Sequence, residues 1–219
     1  MLINMPEYSR TPLVRGYRGK DKKLLAQVSP KTGAHTIRTL VGKTFDDNAG
    51  GLDCCPLKTS RKNQDGAIRN EFMADKSEFT TRLAVTRHPV NRFISGYKHK
   101  IAGLGQWKLN APVPSFSDFI SNFDSISADY LTIDDNSIFF HFAKQVDFLG
   151  SDLSQYTHVY DIDTESEEIH SLFDVVYEKV FPRLQLNSTQ DLDPNITPTA
   201  FEISWIETRY ANDYTLLGL

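Results

Sequence analysis

One run constrains the fold of this chain more than any other: Leu24-Leu25-Ala26-Gln27-Val28-Ser29-Pro30-Lys31-Thr32-Gly33-Ala34-His35-Thr36-Ile37-Arg38. It reads as a short apolar strand, a tight turn and the first turn of a helix. Pro30 ends the strand, and Gly33 lets the backbone approach whatever sits in the turn. A helix opening there aims backbone N–H groups and its positive dipole end into the gap. Lys31, Thr32 and Thr36 add a cation and two hydroxyls, which together suit an oxyanion. The spacing is not GxxxxGK[ST], because the lysine precedes the only glycine of the run. An ordinary strand-to-helix turn that carries a lysine fits the same residues.

A second segment repeats the plan. Thr80 to Thr86 is partly alternating and β-branched, as a strand would be, and Arg87-His88-Pro89 closes it. Pro89 suits a first helical position, and Val90, Ile94, Tyr97 and Ile101 then share one buried face. Arg92, Ser95 and His99 share a different face. The strand end thus delivers Arg87 and the helix offers Ser95, with the arginine fork able to hold two oxygens at once. Arg92 reads equally as a helix-surface charge or as a ligand contact.

Further along, Ile37, Leu40 and Val41 mark the helix of the first unit, and Phe116, Phe119, Ile120 and Phe123 mark a core helix capped by Ser115 or Ser117. Thr157 to Ile162 reads as a third strand, and Glu165 to Val180 as an amphipathic helix. Thr199-x-x-Glu202 is a capping box, with Phe201, Trp205 and Ile206 beginning a buried stripe. Asp65 to Ala74 reads as a short helix. Strands alternating with helices predict an α/β fold with a mainly parallel sheet. The expectation is one domain over 1–219, with an extended lead-in at 1–23 and an insertion loop at 45–79.

Composition narrows the class. With 219 residues, 40% hydrophobic and 24% charged, the chain has globular proportions and room for a sizeable core. A net charge of −4 argues against general nucleic-acid affinity, so a basic site must be local. No stretch approaches the ~20 apolar residues of a membrane span, and no signal-like block follows the start. Cys54 and Cys55 are adjacent, which suits neither a mutual disulfide nor a zinc site; reduced thiols in a cytoplasmic protein are expected. No His, Cys and Asp set has metal-ligand spacing.

The turn Pro30-Lys31-Thr32-Gly33-Ala34-His35-Thr36 resembles the 5′-phosphosulfate loop of sulfotransferases that use 3′-phosphoadenosine 5′-phosphosulfate (PAPS). Thr86-Arg87-His88-Pro89-Val90-Asn91-Arg92-Phe93-Ile94-Ser95-Gly96-Tyr97 resembles the 3′-phosphate motif of the same family, above all its carbohydrate (Golgi-type) branch and bacterial relatives. Phe139 to Gln145 is similar to the family's short His…Gln segment, and Leu186-Asn187-Ser188 to a segment near its cofactor. His88 stands where the family usually has Asp, and His35 where a small hydroxyl residue is common.

The resemblance implies a P-loop-like three-layer fold with a mainly parallel central sheet flanked by helices. It implies sulfuryl transfer from PAPS to a hydroxyl, on a sugar or glycan, with adenosine 3′,5′-bisphosphate (PAP) as product. Lys31, Thr32, Gly33, Ala34, His35 and Thr36 map onto the 5′ loop, and Arg87 and Ser95 onto the 3′-phosphate. Lys31 would stabilise the departing oxygen. His141 is the candidate base, a core histidine on an aromatic-rich helix being the equal alternative; His35 competes for the role. A P-loop-like nucleotide kinase and a nucleotide-binding module without turnover are the rival readings.

Overall fold

The computed structural model describes residues 16–19, 23–44, 76–103, 112–126, 141–184 and 195–219. The chain divides into two compact units, Thr11–Arg87 with Gln145–Asn187, and Met1–Arg10 with His88–Lys144 and Ser188–Leu219. The expected helix at Asp65–Ala74, most of the 45–79 insertion, and Leu186-Asn187-Ser188 lie outside the described residues.

The first unit is built on a four-stranded sheet in the order β1 (Gly16–Arg18), β2 (Leu24–Val28), β3 (Thr81–Thr86), β4 (His158–Asp161). β2, β3 and β4 run parallel, with Ala26 opposite Leu83 and Leu83 opposite His158. β1 pairs antiparallel with β2, Tyr17 opposite Ala26. This is the expected α/β, mainly parallel sheet. β1 itself was hidden in a lead-in whose polar, Arg-rich and Lys-rich composition carries no strand signal.

All of β2 is buried, so its alternation is between two covered faces. Leu24, Ala26 and Val28, with Leu83 and Val85, pack against Ile37, Leu40 and Val41 of α1 (Ala34–Lys43). Ile169, Leu172 and Phe173 of a later helix, Ser166–Tyr177, complete that core. On the opposite face Gln27 is fully buried and needs polar partners. Its amide nitrogen donates to the Phe148 carbonyl at 3.4 Å, and its carbonyl oxygen lies 2.8 Å from the Tyr156 hydroxyl. Burial pushes the Tyr156 phenol well above its ordinary value, so it stays neutral and a donor.

The second unit has an aromatic core centred on Phe93 of α2 (Pro89–Tyr97). The Phe93 ring meets Phe142 at 5.1 Å, Trp205 at 5.7 Å and Phe123 at 5.8 Å between centroids. Burying such a ring contributes roughly 1.5–3 kcal/mol. Of the predicted stripe, Val90, Tyr97 and Ile101 are buried, whereas Ile94 is only partly so. Beyond Tyr97 the helix widens into π-helical turns over Lys98–Gly103. α3 (Phe116–Ser121) starts on Ser115, whose hydroxyl accepts from the Asp118 N–H at 3.1 Å, so the first of the two cap candidates is the cap.

In this unit the capping box on α6 (Ala200–Arg209) is present in full, but its face differs from expectation. Glu202, Ile206 and Tyr210 turn inward, which leaves Phe201 69% exposed. Glu202 turns in because it has partners: Ser117 donates to one carboxylate oxygen and the Thr199 N–H to the other at 2.6 Å. Burial opposes its ionisation, yet those hydrogen bonds prevail and hold its pKa below the ordinary value. A depressed carboxyl stabilises the fold above its unfolded pKa, and that contribution is lost as pH falls through the folded pKa. The stability gap between the wild type and Glu202→Gln should therefore be widest near neutrality and shrink on acidification, as read by urea denaturation across that range.

Candidate functional site

The parallel register places the carboxyl ends of β2, β3 and β4 on one edge, with Val28 opposite Val85 and Thr86 opposite Asp161. In parallel α/β sheets this is the edge at which ligands bind. Each strand hands over to a turn there: Ser29–Gly33 after β2, Arg87 after β3, and Ile162–Glu165 before α5 (Ser166–Tyr177).

The first turn is tightly formed. Both the backbone N–H and the hydroxyl of Thr32 donate to the Ser29 carbonyl, at 3.4 and 2.8 Å. Thr32 is thus committed to shaping the turn. Lys31 and Gly33 both take left-handed conformations, with φ of 72° and 74°. The φ of Gly33 favours glycine, and an added Cβ would also lie 2.8 Å from Ile162 Cδ1, so that side chain would have to shift. Gly33→Ala should cost about 1–2 kcal/mol by denaturant unfolding. Gly218→Ala, at a similar φ of 69° but in open space, should cost less.

α1 opens on Gly33 with no side-chain cap and no acidic residue in its first turn. Its positive end is therefore left to a group from outside the helix. The Ser29 hydroxyl, at the mouth of the same turn, is buried with no hydrogen-bond partner among the described residues. An uncapped helix end behind two left-handed residues offers N–H groups that an oxyanion could take. Ala34 and Thr36 are buried in the first helical turn, whereas His35 is exposed. The guanidinium of Arg38 donates to His35 Nδ1 at 3.3 Å, which leaves the proton of a neutral ring on Nε2.

Arg87 is brought directly to this turn. Its Nη1 donates to the Lys31 carbonyl at 3.2 Å, and its Nε and Nη2 both reach the Asp163 carboxylate at 2.9 Å. Gln145, fully buried, clasps the Arg87 peptide on both sides: its Oε1 accepts from the Arg87 N–H at 3.0 Å and its Nε2 donates to the Arg87 carbonyl at 2.8 Å. The Gln of the His…Gln segment thus anchors the arginine. Asp163 was not singled out in the sequence, although it follows the third strand on the edge where functional groups gather.

Ser95 and His141 belong to the other unit. Ser95 is 4% exposed on α2. Next to it, Gly96 leaves room for the Phe142 ring, whose Cε1 would lie 2.9 Å from an added Cβ. His141 is half-buried in a turn and not on a helix, with its ring 6.5 Å from that of His99. The backbone around it is held by two buried residues. Arg92 donates to the carbonyls of His141 at 3.4 Å and Ala143 at 2.6 Å, and the Tyr210 hydroxyl donates to that of Phe142 at 2.6 Å. Arg92 is only 1% exposed, faces Asp213 at 3.7 Å and lies over the Tyr210 ring, so it is neither a surface charge nor a group open to a ligand. His88 sets its ring edge against Tyr214 at 5.6 Å, a packing role at the position where the family usually has Asp.

A mostly parallel sheet whose leading strand-to-helix turn is an uncapped anion cradle defines a P-loop-like α/β protein. The sulfotransferase family model matches residues 20–218, and the chain belongs to that family. Neither the curated proteins nor the solved structures offer a match to it. Family membership makes this an enzyme of sulfuryl transfer, with a small molecule or glycan as acceptor. Among the described residues no helix is long and apolar enough to cross a membrane.

Proposed function

We propose that the protein transfers a sulfuryl group from PAPS to a hydroxyl, on a sugar or glycan, in the cytoplasm. The observation that carries this reading is the uncapped α1 N-terminus behind left-handed Lys31 and Gly33, with an arginine seated on the Lys31 carbonyl. PAPS, held by the Lys31 turn at its 5′ end, would supply a sulfur activated by its bond to the 5′-phosphate oxygen, which would be released as the acceptor oxygen takes the sulfuryl group.

Such a transfer asks little covalent chemistry of the protein; positioning and stabilisation of moving charge supply the rate. Lys31 and the N–H groups of the Gly33–Thr36 turn neutralise the charge arriving on the bridging oxygen. Thr32 fixes the turn, while Ala34, small and buried, keeps side-chain bulk out of it. Arg87 and Ser95 hold the 3′-phosphate. His141, with its backbone fixed by Arg92, takes the acceptor proton.

Thermal-shift titration tests the reading. Adenosine 3′,5′-bisphosphate should stabilise the protein more than AMP or ATP–magnesium at equal concentration. Preference for ATP–magnesium would indicate a kinase, and stabilisation by the bisphosphate without transfer to any hydroxyl acceptor would indicate a binding module. Arg87→Ala should raise the KM for PAPS by about tenfold or more, the effect of losing a charge-assisted contact.

A further inference from the structure

We propose that Asp163 is a positioning residue for the Lys31 loop, acting through Arg87 as a latch. Three observations converge on it. The Asp163 carboxylate takes two of the three guanidinium nitrogens of Arg87, fixing the plane of the fork, and the third then falls on the Lys31 carbonyl. Lys31 has φ 72°, a conformation a non-glycine residue keeps only when its surroundings impose it. The Arg87 bond to its carbonyl is one such restraint. Asp163 is itself held: its N–H donates to Asp161 Oδ1 at 2.8 Å, and the Asp161 N–H donates to Glu165 Oε2 at 2.7 Å. The β4-to-α5 turn is therefore a rigid mount for the carboxylate.

The consequence is that strand ends on the same sheet edge set the backbone from which the Lys31 side chain departs. Asp163 touches neither donor nor acceptor. Its effect on turnover rests on the proposed role of Lys31, whereas the latch itself is a property of the fold.

Asp163→Asn keeps the shape and removes the charge. In amide hydrogen exchange on the full chain, the Thr32 N–H, which donates to the Ser29 carbonyl, should exchange about tenfold faster than in the wild type, with α1 and β2 unchanged. A wild-type rate at Thr32 would overturn the proposal. If Asp163→Asn does not fold, Arg87→Lys, which keeps a cation and loses the fork, gives the same readout. In the PAPS transfer assay Asp163→Asn should lower kcat about tenfold with a smaller change in the KM for PAPS, because the substitution leaves the Arg87 side chain in place. In a Lys31→Ala background the same substitution should change kcat little. Equal fold losses in both backgrounds would overturn the positioning role. Faster exchange in a protein that does not transfer sulfuryl groups would support the latch and refute the proposed function.

Discussion

Lys31→Ala is expected to lower kcat for sulfuryl transfer by about 10²–10³-fold, the usual cost of removing a preorganised group that stabilises charge developing in the transition state. The KM for PAPS should change much less, because the cradle of backbone N–H groups survives the substitution. The position also carries backbone strain, since its φ is 72°. Lys31→Gly separates the two contributions. It removes the ammonium as alanine does, but it also relieves the left-handed conformation. Both variants should lose turnover alike, and the glycine variant should be the more stable in urea. A kcat within a few-fold of wild type in either folded variant would take the cation out of the mechanism.

Arg92→Ala should be the most destabilising substitution tested, at about 3–5 kcal/mol by chemical denaturation. The arginine is 1% exposed and Asp213, opposite it, is 0% exposed. Truncation removes the cation that faces that carboxylate and withdraws the donors that satisfy the His141 and Ala143 carbonyls. Arg92→Lys should recover only part of the loss, because one ammonium cannot reproduce a fork directed at two carbonyls and a carboxylate. Asp213→Asn should also destabilise, since it takes the facing anion from the buried guanidinium, but by less, because the His141 and Ala143 carbonyls still accept from it. Where the arginine variant still folds, its turnover should fall with the placement of His141.

The strand–turn–helix units were legible because each rests on local chemistry: Pro30 and Gly33 punctuate the first, Pro89 starts the helix of the second, and Thr199 with Glu202 forms a capping box within four consecutive residues. What escaped depends on partners far away in sequence. Gly16–Arg18 becomes a strand only because Tyr17 finds Ala26 across the sheet. Arg92 looks polar enough for a helix surface until Asp213 and the His141–Ala143 carbonyls are brought to it. Phe201 seemed to begin an apolar stripe, yet a glutamate with buried partners took the inward place.

The candidate site shows the same division. The turn itself could be read from Lys31 to Thr36, since its glycine and its missing cap are local properties. Asp163 could not, because an aspartate after a strand is an ordinary residue until Arg87 is seen to dock on it. Its one signal was positional: the end of the third parallel strand falls on the edge that also carries the other two turns.

The most direct measurement is a crystal structure with adenosine 3′,5′-bisphosphate. The 5′-phosphate is expected within hydrogen-bond distance of the Gly33–Thr36 N–H groups and the Lys31 ammonium, with the 3′-phosphate on Arg87 and Ser95. A nucleotide bound with neither phosphate at the Lys31 turn would contradict that placement.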